Sequence, residues 1–253
     1  MNRALRLALI LAMLSSSPVQ GQGLRTAVPA IVTVSAAEPE GSTVVLRYNE
    51  AVAVLLSDKP FFIEGLEFEL RVPKAFQGSE SSIAWSLYSS VRPLPTKERL
   101  DYNAELIATQ PLPARVSMNL ILPVVERHGI RGGPFASIIP SIALPGRFPL
   151  FFKLSPIGKG LSPVMEKADF RLTVRPVLSD EGGIVVSYSY PDGADPVQAS
   201  VFLGDKRIDK PQDMITARKG AYVVRVHADG YKEEIVTVAV EPGKIVPVHV
   251  SLV

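Results

Sequence analysis

The three histidines are the first residues to test for chemistry. His128 lies in "VERHGIRGGPF" (124–135) beside Glu126, Arg127 and Arg131, and the paired glycines mark that stretch as a loop. Charge and an imidazole on a loop suit ligand contact, so His128 and Arg131 are predicted contacts, with a solvated turn as the alternative reading. His227 and His249 share a strand phase with Arg225 and Ser251, the outward phase, and would meet only if their strands paired. Glu64, Glu67 and Glu69 are the candidates for a glycosidase carboxylate pair. Glu67 and Glu69, however, alternate along one face with Arg71, which is the pattern of solvated charge. "PDGAD" (191–195) lacks the acidic array of a calcium loop and reads as a tight turn. The Gly-x-Ser-x-Gly and His-Glu-x-x-His motifs are absent, as is Ser-x-x-Lys in a strand–helix setting. The expectation is a non-enzymatic protein with no metal and no cofactor.

Sugar-binding sandwiches stack their ligands on exposed aromatic rings. Trp85, the single tryptophan, shares a face with Ile83 and Leu87 and is assigned to the core. Tyr88, on the opposite phase, and Tyr102 are the predicted platforms.

The address is written at the start of the chain. Arg3 and Arg6 precede the apolar run "LALILAML" (7–14), and "SSSPVQG" follows with small residues at Val19 and Gly21. This is the layout of a secretory signal over residues 1–21, and its apolar run is too short to cross a bilayer. There is no cysteine. That excludes disulfides, thiolate chemistry, cysteine-bound metal centres and the cysteine of a bacterial lipid anchor. An exported protein without disulfides fits a bacterial periplasm or cell surface better than an animal secretion. Removing Arg3 and Arg6 leaves 25 basic residues against 25 acidic ones. Residues 22–178 carry 17 basic and 14 acidic side chains, and residues 179–253 carry 8 and 11. Neither half has the positive charge that nucleic acid demands.

Almost every readable element has a period of two. In "LEFELRV" (66–72), Leu66, Phe68, Leu70 and Val72 share a face opposite Glu67, Glu69 and Arg71. "IVTVS" (31–35) and "TVVLRYNEAVAVLL" (43–56) flank the turn "EPEG" (38–41), and the second run can divide at Asn49-Glu50. "SIAWSLYSS" (82–90), "ARVSMNLILP" (114–123), "PFASIIPSIAL" (134–144), "FPLFFKL" (148–154) and "RLTVRPVL" (171–178) continue the series. One segment competes: Thr96 could cap one or two helical turns in "KERLDYNAELIA" (97–108), with loop or edge strand beyond. With 22 prolines and 18 glycines between short strands, residues 24–178 are predicted to form an antiparallel β-sandwich, jelly-roll-like in character. Five further strands follow within 179–253. There Val224 and Val226 are expected to share a core with Val236, Val238, Val240, Val246, Val248, Val250 and Leu252, while Pro247 suggests an edge strand.

The C-terminal 70 or so residues resemble the PEGA domain, a small β-sandwich of bacterial and archaeal envelope proteins. The matching features are "ASVFLGD" (199–205), Pro211 in the next loop, Lys219-Gly220 entering "AYVVRVHA", Gly230-Tyr231, and the strand pair "IVTVAVEPGKIVPVHVSL". The tetrapeptide that names the family is absent, and only its Gly-Ala ending stands at Gly220-Ala221. "PEGS" (39–42) is a turn in another context, and transthyretin-like and carboxypeptidase-regulatory-like sandwiches share the rhythm. The resemblance implies an accessory, non-catalytic module. Within it Gly220 and Gly230 supply unusual backbone angles, and Tyr231 packs over the end of the sandwich. The whole reads as an exported all-β protein of two sandwiches that binds or scaffolds an envelope protein or glycan. The alternatives are a carbohydrate-binding protein using the first sandwich and a glycan-active hydrolase.

Overall fold

A computed structural model describes residues 22–57, 59–133, 135–139, 147–158, 160–194 and 197–253. The predicted signal segment, the end of the "PFASIIPSIAL" run and Asp195 of the "PDGAD" turn lie outside the described residues. Among the described residues eleven strands precede residue 179: β1 Gln22–Arg25, β2 Ala27–Val34, β3 Ser42–Leu46, β4 Glu50–Leu56, β5 Ile63–Arg71 and β6 Ile83–Arg92 come first. Then follow β7 Asp101–Pro111, β8 Ser117–Pro123, β9 Ala136–Ile138, β10 Leu150–Pro156 and β11 Phe170–Leu178. Seven more complete the chain: β12 Glu181–Ser189, β13 Ser200–Leu203, β14 Lys206–Ile208, β15 Ile215–Arg218, β16 Gly220–His227, β17 Glu234–Val240 and β18 Ile245–Ser251.

The protein is all-β, built as two sandwiches. In the first, a six-stranded sheet in the order β1-β7-β6-β10-β4-β2 faces a five-stranded sheet in the order β3-β11-β5-β8-β9. Alternate side chains of both meet in one core, where Phe68 of one sheet stacks on Phe152 of the other at 5.7 Å. Trp85 lies in that core beside Phe152. In the second sandwich, β15-β12-β18 faces β14-β13-β16-β17 over a valine-rich core that contains Val224, Val226, Val238, Val240, Val248, Val250 and Leu252. Val236 and Val246 pack at its margin.

The long apolar run does divide at Asn49, whose φ is +64°. Its halves, β3 and β4, go to opposite sheets of the first sandwich. That crossover makes β2 and β4 run parallel, and β8–β9 and β12–β18 are parallel as well, so the sheets are mixed rather than wholly antiparallel. Strand β18 is an edge, and Pro247 is accommodated on it.

The helical option at 97–108 is not taken. Asp101–Pro111 forms β7, which pairs with β6 on one side and β1 on the other. Two cross-strand ladders outweigh a weak local helix preference. The same pairing corrects the assignment of Tyr102 as a stacking platform. The ring is 3% exposed and meets Phe151 edge-on at 4.9 Å. Its hydroxyl donates toward the carbonyls of Thr96 (3.0 Å) and Arg99 (3.1 Å). Tyr88 is half-buried against the same apolar cluster.

That cluster exists because the six-stranded sheet curls strongly. Its two edges, β1 and β2, are consecutive in sequence and separated only by Thr26. Thr26 donates its amide to Leu100 O (2.9 Å) and its hydroxyl to Asn49 O (2.9 Å), tying the ends of the curl together. Inside the curl lie Val28, Ala51, Ala53, Tyr102 and Phe151. On the same phase of β10 as Phe151, Lys153 is 7% exposed, and its Nζ donates to Ser155 Oγ at 2.9 Å. Burial lowers the Lys153 pKa from its ordinary 10.5.

In the second sandwich, Gly230 has φ +85° and Gly220 φ +155°, angles that a side chain opposes. Tyr231 packs against the core margin and meets Tyr190 at 5.4 Å, and Tyr190 meets Tyr188 at 6.0 Å.

Two outcomes follow for stability. The unfolded chain binds the Lys153 proton more tightly than the folded one, so stability rises with pH between the folded pKa and 10.5 and is level below that interval. Lys153→Met is expected to raise the melting temperature at neutral pH and to remove the rise, read by thermal melts across the alkaline range. An unchanged slope in the variant would assign the rise to another group. Tyr102→Phe keeps the ring packing and removes the hydroxyl's bonds, at an expected cost of about 1–2 kcal/mol in chemical denaturation.

Candidate ligand-binding cleft

The two sandwiches are joined by only Ser179 and Asp180, because β11 ends at Leu178 and β12 begins at Glu181. The seam around this joint is close. Gly243, at φ +72° in the "PGK" turn, lies so near Leu178 that a Cβ there would come within 2.7 Å of Leu178 Cδ1. Gly243 donates its amide to Glu181 O at 2.9 Å, and Lys219 donates its own to Asp180 O at 2.7 Å. Ser179 donates its amide to Phe62 O at 2.8 Å, fixing the joint to the first sandwich as well. Gly182 approaches the 241–244 turn so closely that a Cβ would sit 2.4 Å from Glu241 O.

Beside this seam opens a cleft of about 730 Å³. One wall is the 124–133 loop, pinned to β5 at two points. Glu64 Oε2 accepts the Gly129 amide at 3.1 Å, and Ile130 lies over Gly65, where a Cβ would be 2.7 Å from Ile130 Cδ1. Arg127 and Arg131 reach the cleft from this loop, Glu67 from β5, Glu181 from the start of β12 and Arg218 from β15 of the second sandwich.

The carboxylates here are mostly engaged. Glu64 holds the loop amide. Glu67 is paired with Arg175 Nε at 3.2 Å and accepts from Asn119 Nδ2 at 3.4 Å. Arg175 also binds Glu69, which takes Arg71 Nε at 3.2 Å. Glu67 and Glu69 therefore belong to a charge ladder across the sheet, the solvated face that their alternation with Arg71 predicts. Asp180 pairs with Lys219 at 3.6 Å. By contrast, the Arg127, Arg131 and Arg218 side chains have no ion-pair partner among the described residues.

Of the predicted contacts, the structure therefore brings Arg131 into the cleft. His128 is half-buried in the same loop, with Nδ1 buried and unpartnered among the described residues. His227 and His249 do not meet, because they lie on different sheets. His227 stands 3.6 Å from Asp229, and His249 lies between Ser187 Oγ (3.0 Å) and Ser189 Oγ (3.3 Å). Arg127 and Arg218 carry no motif that singles them out. Only the glycines flanking the joint, Gly182 and Gly183, signal close backbone approach in the sequence. Among the described residues, no cluster of histidine and carboxylate side chains is placed to hold a metal ion. Nor is any helix long and apolar enough to cross a membrane.

No family model and no curated protein matches the chain. Among solved structures it is similar to the Bacillus anthracis TIE protein, at 14% identity and a TM-score of 0.23, over 80% of this chain and 36% of that one. The chain thus spans about a third of that protein's length. It is also similar to the group B streptococcus pilus 2b backbone protein, at 12% identity and a TM-score of 0.20, over 87% of this chain and 94% of that one.

The seam predicts a measurable loss. Gly243→Ala places a methyl against Leu178 and forces a left-handed angle on a residue with a side chain, expected to cost about 1–3 kcal/mol. The expected readings are a lower melting temperature and faster protease nicking at 178–181. Unchanged melting and nicking would mean that the seam contributes nothing to holding the domains.

Proposed function

We propose that this chain is an exported, non-enzymatic binding or scaffolding protein of a bacterial envelope, with a PEGA-like second sandwich. The observation that carries the reading is the joint. Two sandwiches are locked by Leu178, Gly243 and two linker residues into one arrangement, and an open cleft is lined by side chains from both. A fixed two-domain cleft suits ligand or partner capture. Most of the cleft carboxylates are tied up in internal contacts, which disfavours them as an acid–base pair. The carbohydrate-binding alternative loses its Tyr102 platform, which is buried. Export rests on the basic, apolar and small-residue order of residues 1–21.

Cell fractionation with N-terminal sequencing tests the address. The expected product is a processed chain in the periplasm or on the surface, cut close to Gly21. Recovery of the unprocessed chain from cytosol alone would overturn the proposal.

A further inference from the structure

The small residues that close the export signal and the pairing of β1 point to the same peptide bond. Val19 and Gly21 stand third and first before a cut after Gly21, which leaves Gln22 as the first residue of the exported chain. Gly23 is the next small residue, but a cut there would divide β1. Its Gln22, Gly23, Leu24 and Arg25 pair in register with Ala104, Asn103, Tyr102 and Asp101 of β7. Leu24 also packs on the cluster inside the curl that holds Tyr102 and Phe151.

Gln22 lies at the open end of this edge strand. It is exposed, as is Gly23, and a Cβ built on Gly23 would meet nothing within 4 Å. The Gln22 side-chain amide has no partner among the described residues. Glu105, which follows Ala104 along β7, is taken by Arg147 at 3.7 Å.

We infer that Gln22 is a modification site, where the newly freed N-terminal glutamine closes on itself to a pyroglutamyl ring. The neutral α-amino nitrogen attacks Cδ of its own side chain. An N–Cδ bond forms, the Cδ–Nε2 bond breaks, and the departing nitrogen takes a proton from the amine and leaves as ammonia. No co-reactant is needed, only an amine and an amide held on one residue and free to meet. In the uncut chain the same nitrogen is a peptide amide and does not attack, so the ring forms only after the leader is removed. The ring contains N, Cα, Cβ, Cγ and Cδ. The Gln22 carbonyl and one N–H therefore remain, and β1 keeps its register on β7. Closure removes the terminal positive charge and the free amine that aminopeptidases grip. Chain ends are where trimming concentrates. Trimming here would strip β1 from the β7 edge and take Leu24 from its cluster.

The inference rests on the export reading above, and one measurement separates the two. The full chain is expressed with its leader, the processed protein is recovered from the envelope and held at neutral pH, and its N-terminal peptide is read by mass spectrometry. The expected peptide starts at Gln22 and is lighter by one ammonia. It should resist stepwise N-terminal degradation until pyroglutamyl aminopeptidase removes the first residue, after which the sequence begins at Gly23. Gln22→Asn keeps an amide but could close only through a smaller, strained ring. Its terminus should stay open and lose residues to a general aminopeptidase under conditions that leave the parent whole. Matching circular dichroism melts would establish that the variant is folded. A processed chain with an open Gln22 amine, one that starts at another residue, or equal trimming of parent and variant would each overturn the inference and leave export standing. An unprocessed chain confined to the cytosol would overturn both.

Discussion

The functional geometry depends on one contact: Leu178 occupies the space that Gly243 leaves by having no side chain. Two sandwiches linked by two residues could hinge freely, since short interdomain linkers fix distance but not orientation. The contact opposes such hinging, because a leucine seated against backbone loses its packing when it swings away. The amide bonds from Gly243 to Glu181 and from Lys219 to Asp180 then give the joint a direction as well as a separation. Arg218 of the second sandwich lines the same cleft as Arg127 and Arg131 of the first, beside this seam.

The charges around the joint divide into two kinds. Arg175, between Glu67 and Glu69, is a structural cation whose partners stand on a neighbouring strand of the same sheet. The arginines of the loop and of β15 are extra cations with no internal partner among the described residues. This matters more than the net charge of the chain, which is close to balanced once the basic leader is set aside. The cleft at the joint is correspondingly mixed in sign, with Arg127, Arg131 and Arg218 set among Glu64, Glu67, Asp180 and Glu181.

Much of the fold was legible because period-two alternation is a local signal. Leu66, Phe68 and Leu70 declare an inward face, Ile83, Trp85 and Leu87 another, and Val224 with Val226 a third, and all of these are buried. The division at Asn49 was also readable, since a polar pair interrupts an apolar run there. Segment 97–108 was misread because its helical spacing is local, while the ladders to β6 and β1 that make it a strand are not. Parallel pairing was invisible for a related reason: it arises from a crossover between sheets, and no residue type encodes that. The cleft suffered most. It gathers residues 64, 67, 127, 129–131, 181 and 218, and of these the sequence pointed to Arg131 as a ligand contact and to Glu64 and Glu67 only as a carboxylate pair. Tyr102 misled because aromatic chemistry is visible in a sequence and burial is not.

Edge protection completes the physical picture. The edges β1, β3, β9, β14 and β15 are all short, while the longer β2 and β18 carry Pro29 and Pro247, which cannot donate to a new strand. Strand β17 is different. It has seven residues, no proline, and an outward Ile235 that is 58% exposed. Its protection is electrostatic. If two copies paired antiparallel about Thr237, Glu233 of one would oppose Glu241 of the other, and a shift of the register by two would oppose Lys232 to Lys244. Like charges directly across a ladder destabilise it. The fragment "EIVTVAV", which by composition alone is an aggregation segment, is therefore held open as an edge by the charged residues at its two ends.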